Sequence, residues 1–150
     1  MSSLRKILVI KPLKQVPGGP KVVAKLYYPY EIFELEVHIR KVVGEPIKLR
    51  MPVLVDRARA RAYATDGIPE TYEDEVDEDF IIKPRVSGEA SAKLARKFAL
   101  YYVARYWRVM LAPEVRVVKS VEAYKLYWLI RMAGKTYLFD SILGDVEEIR

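Results

Sequence analysis

Part of this sequence reads twice. The stretch Ile32-Phe33-Glu34-Leu35-Glu36-Val37, running through Gly44 to Val53-Leu54-Val55-Asp56, is echoed by Leu126-Tyr127-Trp128-Leu129-Ile130-Arg131, running through Gly134 to Tyr137-Leu138-Phe139-Asp140. Each copy reads as strand, turn and strand ending in Asp. Each also follows a tyrosine-rich approach, Leu26-Tyr27-Tyr28-Pro29-Tyr30 in the first and Tyr124-Lys125-Leu126-Tyr127 in the second. A repeated pairing unit constrains architecture rather than chemistry.

Composition narrows the setting. A chain of 150 residues that is 51% apolar suits a single domain, 1-150, and is long enough to bury roughly 68–70% of its unfolded surface. Cysteine is absent, which excludes disulfides, iron–sulfur clusters, thiolate zinc sites and cysteine nucleophiles. A metal would have to be held by oxygen or by His38, the single histidine, and no cofactor is implied. Asn is absent and Gln15 is the only Gln, while charged residues make up 31% of the chain; this balance points to a hyperthermophilic, archaeal source. Met1 to Lys6 leads into only four apolar residues, Ile7 to Ile10, before Lys11-Pro12, and no stretch approaches the roughly 20 apolar residues of a membrane span. The expectation is a cytoplasmic protein with no signal peptide and no membrane partner. The net charge of +6 is unevenly spread: residues 1–68 carry 13 Lys+Arg against 6 Asp+Glu, residues 69–79 carry 0 against 7, and residues 80–150 carry 13 against 7. Two basic halves flank one acidic strip.

Leu4 to Lys11 reads as a first strand. Tyr30 to Val43 alternates Phe33, Leu35, Val37 and Ile39 against Glu34, Glu36, His38 and Arg40, the mark of a half-buried strand. Gly44-Glu45-Pro46 turns the chain, and Pro52 to Tyr63 resumes as a strand. Residues 66–79 are too acidic to pack and read as a mobile acidic loop joining two repeat-like units, about 22–64 and 87–150. After Pro84 the period changes: Ser87 to Arg108 is free of Pro, starts with an N-cap serine and places Glu89 in the first turn, so it is the one long helix. Phe98, Ala95, Tyr102, Tyr106 and Ala99 gather on one side of it, and Arg96, Lys93, Lys97, Arg108 and Arg105 on the other. Short strands follow over 114–120, 121–132, 135–140 and 145–149.

The second half, a helix and then antiparallel strands ending Tyr137-Leu138-Phe139-Asp140-Ser141-Ile142-Leu143-Gly144-Asp145-Val146, resembles the PepSY-like repeat family, whose units close with an Asp-x-x-x-Gly-acid-Val hairpin. The resemblance covers about 60 residues and implies a small binding or inhibitory module of the kind found beside peptidases, usually outside the cytoplasm. The first copy departs from the pattern, because Asp56-Arg57-Ala58-Arg59-Ala60 has Ala in the glycine's place and no helix precedes it.

Three kinds of chemistry can be weighed. Asp56 and Asp140 hold equivalent positions in the two copies, so a pseudo-twofold would bring them together as a carboxylate dyad; the alternative is that each accepts hydrogen bonds from turn amides at a strand end. His38 faces Glu34, Glu36 and Arg40, but alternate strand residues lie roughly 6.5–7 Å apart and no third metal ligand is evident. Phosphate-loop motifs are missing, and the strip Glu73-Asp74-Glu75-Val76-Asp77-Glu78-Asp79 lacks the central glycine of a calcium loop. Basic surfaces with aromatics remain: the helix stripe Lys93, Arg96, Lys97, Arg105 and Arg108, the strand row Arg57, Arg59 and Arg61, and the face Lys125, Tyr127, Leu129 and Arg131. Such surfaces track phosphates or form ion-pair networks.

The sequence therefore indicates an α+β fold, an antiparallel sheet from two related hairpin units with one long helix packed on one face. In it, Tyr124, Leu126, Trp128, Ile130 and Met132 meet Phe98, Tyr102 and Tyr106. The expected role is a non-catalytic binding or interaction module with an unknown protein partner. A nucleic-acid-binding accessory protein is the alternative, separated from the first by whether Lys93, Arg96 and Lys97 are ion-paired. A carboxylate-dyad hydrolase using Asp56 and Asp140 comes third.

Overall fold

The computed structural model describes residues 3–107 and 111–149. Within them lie β1 (Leu4–Ile10), β2 (Lys21–Ile39), β3 (Ile47–Asp56), β4 (Arg61–Ala64), β5 (Thr71–Asp77), α1 (Gly88–Tyr106), β6 (Glu114–Met132), β7 (Lys135–Asp140) and β8 (Val146–Ile149), with a 3-10 turn at Glu78–Phe80. The strand order is β4-β3-β2-β6-β1-β5, with β7 paired to β6 and β8 to β7. The class is α+β, but the sheet is mixed where alternation alone indicated a purely antiparallel one. β1 runs parallel to β6 at Val9 and Tyr124, and Tyr27 makes a parallel bridge to Ile81. Both pairings join segments far apart in the chain, which a strand's own period does not report. By contact density the chain divides into two compact units, Tyr30–Ile68 with Pro84–Glu122, and Met1–Pro29 with Pro69–Lys83 and Ala123–Arg150.

In the unit built on Tyr30–Ile68 and Pro84–Glu122, β2 and β3 pair antiparallel over ten positions from Tyr30–Asp56 to Ile39–Ile47. Pro29 falls just before this pairing begins, so its missing N–H takes nothing from the β2–β3 ladder. The alternation seen in the sequence holds: Phe33, Leu35, Val37 and Ile39 share a core with Met51, Val53 and Val55 of β3 and with Ala95, Ala99 and Val103 of α1. The Ser87 side chain caps α1 by accepting from the Ala90 amide at 3.1 Å, satisfying one of the first-turn donors.

Residues four apart stack on one helix face, and α1 sorts into four such files. Ser91, Ala95, Ala99 and Val103 are buried. The next file, Leu94, Phe98, Tyr102 and Tyr106, goes from half-buried to exposed, with Tyr102 at 38% and Tyr106 at 62%. Lys93, Lys97, Tyr101 and Arg105 are exposed throughout, as are Arg96, Leu100 and Ala104. Of the side that the sequence turned inward, the core thus takes Ala95 and Ala99, along which a helix backbone can approach most closely, with Leu94 and Phe98 packed against it, while Tyr102 and Tyr106 stay exposed. Tyr124 and Leu126 belong to the other unit's core.

Asp56 ends β3 and turns the chain. Its Oδ1 accepts from the amides of Ala58 at 3.0 Å and Arg59 at 2.9 Å, and Ala60 follows at φ 56°, a left-handed conformation costing an L-residue about 1–2 kcal/mol. Residues 57–60 are therefore turn, not strand. Ala60→Gly relieves that strain while adding freedom to the unfolded chain, so it should stabilise the protein by about 0.5–1 kcal/mol; a denaturant midpoint that falls instead would contradict the turn geometry.

In the other unit, Ile7, Val9, Tyr27, Val76, Ile81, Tyr124 and Leu126 form the core, with Trp128 packed at its margin. β5 occupies half of the stretch 66–79 read from the sequence as an acidic loop. It pairs antiparallel with β1 over seven positions, Lys6 opposite Glu75 and Val9 opposite Tyr72. Charge density alone suggested a solvated segment, yet Val76 is buried at 5%, and Arg5 and Lys6 lie on the neighbouring strand, so one apolar anchor and opposite charge across the ladder offset the repulsion. The Tyr27 hydroxyl is raised above its ordinary pKa, first by burial and then by Asp74 and Tyr72. β6 runs unbroken through the two segments read as separate strands and pairs with β7 over six positions across the two-residue turn Ala133-Gly134.

Asp140 repeats what Asp56 does. Its Oδ1 accepts from the amides of Ile142 at 2.8 Å and Leu143 at 3.0 Å, and the Gly144 amide donates to the Asp140 carbonyl at 2.9 Å. Gly144 adopts φ 77°, the counterpart of Ala60. The Asp-x-x-x-Gly pattern is thus a side-chain-capped turn closed by a left-handed residue.

Candidate functional site

The outer surface of α1 is the most coherent candidate. Lys93, Lys97, Tyr101 and Arg105 follow one another at four-residue spacing, and Arg96 and Leu100 flank them in the next exposed file. Tyr101 is 65% exposed between Lys97 and Arg105, so the aromatic ring sits inside the cationic row. Among the described residues no ion pair engages Lys93, Arg96, Lys97 or Arg105, whereas Lys11, Arg40, Arg50, Arg57, Lys125 and Lys135 all pair with carboxylates. The Arg105 guanidinium lies 5.6 Å from the Tyr106 ring centre, a cation–π distance. Arg108, the last member of the stripe read from the sequence, lies outside the described residues.

Beside this row the aromatic file borders a groove of about 320 Å³, lined by Arg50, Pro52, Thr65, Phe98, Tyr102 and Trp107 among others. The Phe98 and Tyr102 ring centres are 6.5 Å apart and nearly parallel; those of Tyr102 and Tyr106 are 4.7 Å apart and tilted. Arg50 is held by Glu34 at 3.8 Å and Glu36 at 3.7 Å. The groove was not singled out in the sequence, because Leu49 to Pro52 and Ala64-Thr65 reach it only through the β3–β4 hairpin. The four-residue spacing of Phe98, Tyr102 and Tyr106 was its one legible sign.

The other two basic clusters are not surfaces of the kind the sequence indicated. Arg57 is buried: Nε and Nη2 donate to the Val86 carbonyl at 3.2 and 3.0 Å, and Nη1 donates to Glu122 Oε1 at 3.3 Å. Arg59 sits in the turn and Arg61 opens β4, both exposed, so the three do not form a strand row. Lys125 is buried too, its Nζ 2.5 Å from Asp140 Oδ2 and 5.1 Å from the centre of the Tyr127 ring. Tyr127 also meets Tyr28 edge-on at 5.9 Å. Of that face only Arg131 is exposed.

Near Arg57 lies a buried acid. Glu31 is 6% exposed; burial raises its pKa and the Glu122 carboxylate raises it further, while Arg57 and then Ser91 pull it back. The pull from Ser91 does not amount to a formed bond, since Glu31 Oε1 and Ser91 Oγ both lack hydrogen-bond partners.

Asp56 and Asp140 each cap a turn through Oδ1, and Asp140 also holds Lys125. These are the hydrogen-bonding roles weighed against a dyad. His38 Nε2 meets Glu36 Oε1 at 2.5 Å, and this contact is the main reason that the Glu36 carboxyl is held below its ordinary range. Among the described residues no three His, Asp or Glu side chains gather as a metal site requires, and no helix is long and apolar enough to cross a membrane.

Compared with known proteins, the chain matches no family model, no curated protein and no solved structure.

Proposed function

We propose that this protein is a non-catalytic binding module whose contact surface is the exposed cationic row of α1, and that the ligand is the phosphate backbone of a nucleic acid. One observation carries the reading: Lys93, Lys97 and Arg105 follow one another along one exposed file of a rigid helix with Tyr101 among them, and they and the neighbouring Arg96 are engaged in no ion pair among the described residues, whereas Lys11, Arg40, Arg50, Arg57, Lys125 and Lys135 are matched to carboxylates. The sequence posed this as the distinction between a polyanion-binding surface and an ion-pair network. Cations without a carboxylate partner bind phosphates at little cost, because no ion pair has to be broken, and the release of condensed counterions drives the association. Tyr101 within the row adds a flat ring for contact with sugar or base.

Fluorescence anisotropy against salt tests the reading. Replacing Lys93, Arg96 and Lys97 by Ala should make the slope of log affinity against log salt less negative by about 2, at about 0.7 per phosphate contact for a single strand. An intact protein that binds neither single-stranded nor double-stranded nucleic acid at low salt would return the row to a protein-partner surface.

A further inference from the structure

We propose that the groove beside Phe98, Tyr102 and Trp107 is a base-stacking subsite, which makes single-stranded nucleic acid, rather than duplex, the ligand of the α1 row. The inference rests on the polyanion reading above and specifies its ligand.

The register of the two files carries the argument. The cationic file Lys93, Lys97, Tyr101 and Arg105 runs alongside the aromatic file around the helix, and of the latter Phe98 and Tyr102 line the groove, so the outer row and the groove's rings share one edge of α1. A strand whose phosphates follow Lys93, Lys97 and Arg105 brings its bases over the neighbouring file. There Tyr102 is 38% and Trp107 37% exposed, so each ring keeps accessible area while its remainder is held by packing. Rings fixed in this way stack on a base with little loss of side-chain freedom. The groove's volume of about 320 Å³ falls at the low end of the range for small-ligand sites, the scale of one base and not of a folded peptide. Arg50 at its wall is already matched by Glu34 and Glu36, so the anionic backbone is drawn to the α1 row while the uncharged base enters the groove.

A duplex has little use for these features. Its bases are stacked on one another, so none can enter the groove, and although Arg and Lys can read guanine edges in the major groove, adenine edges call for Asn or Gln. This chain has no Asn, its one Gln is Gln15, and the middle of the exposed row carries Leu100 and Tyr101. Stacking tolerates any base, so weak sequence preference is part of the proposal.

The test compares a fluorescein-labelled oligothymidylate of about 12 nucleotides, within the span that one small domain covers, with a duplex of the same length. The single strand should bind more tightly. Tyr102→Ala with Trp107→Ala should weaken its binding roughly five- to hundred-fold without changing the salt slope, and Tyr102→Phe should retain affinity. In a Trp128→Phe background, which leaves Trp107 as the only tryptophan, the oligonucleotide should quench the remaining emission; this readout does not depend on whether the Ala variants fold. Equal affinity for the duplex, or unquenched Trp107 at saturation, overturns the subsite and leaves the phosphate-binding reading standing. Absence of binding by either nucleic acid overturns both.

Discussion

Asp140→Ala should destabilise the protein by about 3–5 kcal/mol, the range for breaking a buried ion pair from one side. The Asp140 carboxylate has two structural tasks at once. One oxygen closes the turn after β7 by accepting from the amides of Ile142 and Leu143; the other lies 2.5 Å from Lys125 Nζ, with both side chains only 10% exposed. Alanine removes the turn's acceptor and deprives a buried ammonium of that carboxylate. Asp140→Asn separates the two effects, since its amide oxygen can still accept from the turn amides while the charge is lost, and it should fall between wild type and Asp140→Ala. Lys125→Met in the Asp140→Ala background should recover part of the loss, because an ammonium that has lost this carboxylate then no longer has to stay buried. Urea midpoints of the four proteins check this. A loss below about 1 kcal/mol for Asp140→Ala would mean that the pair is solvated.

Arg57→Ala should cost about 3 kcal/mol, with a dependence on pH that identifies the cause. The guanidinium bridges the Val86 carbonyl, just ahead of α1, and Glu122 on β6, and it is also the charge that opposes the upward shift of Glu31. Because the folded-state pKa of Glu31 stands above its ordinary 4.5, protonated Glu31 is compatible with the fold; the associated stability is present at acid pH and is lost as pH rises through the folded value. Removing Arg57 raises that value further. The deficit of Arg57→Ala should therefore be smallest near pH 4, in the region of the ordinary carboxylate pKa, and grow toward neutrality. Glu31→Gln in the same background should flatten that growth. Arg57→Lys should rescue little, since an ammonium does not reproduce the forked contact with a carbonyl and a carboxylate. A deficit that is constant with pH would separate Arg57 from Glu31 and reduce its role to the Val86 contact.

The sequence pattern of both residues points to other chemistry than the structure gives them. A charged residue in a pattern announces its charge but not its exposure. Arg57 and Lys125 sit in stretches where polar and apolar residues alternate, so each read as outward-facing; a turn at 57–60 and a carboxylate across the β6–β7 hairpin drew them inside. Lys93, Arg96 and Lys97 fared differently because helix periodicity, with Ala95 and Ala99 on the opposite side, sets their direction within the element.

What the sequence determined by itself was whatever is encoded within a few residues. The Phe33 to Ile39 alternation, the start of α1 at its Ser87 cap, the turns at Gly44 and Gly134, and the Asp140 to Gly144 turn all rest on contacts no more than a few positions apart, where propensity and side-chain capping act directly. Tertiary structure decided the rest. The parallel neighbour of β1, the strand formed by the acidic segment 71–77, the exposure of Tyr102 and Tyr106 on the side of α1 that buries Ala95 and Ala99, and the groove at Phe98 and Tyr102 each depend on a partner distant in the chain. Local pattern leaves such choices open, because two faces of one helix or two fates of one charged segment differ by energies that only the opposing surface supplies.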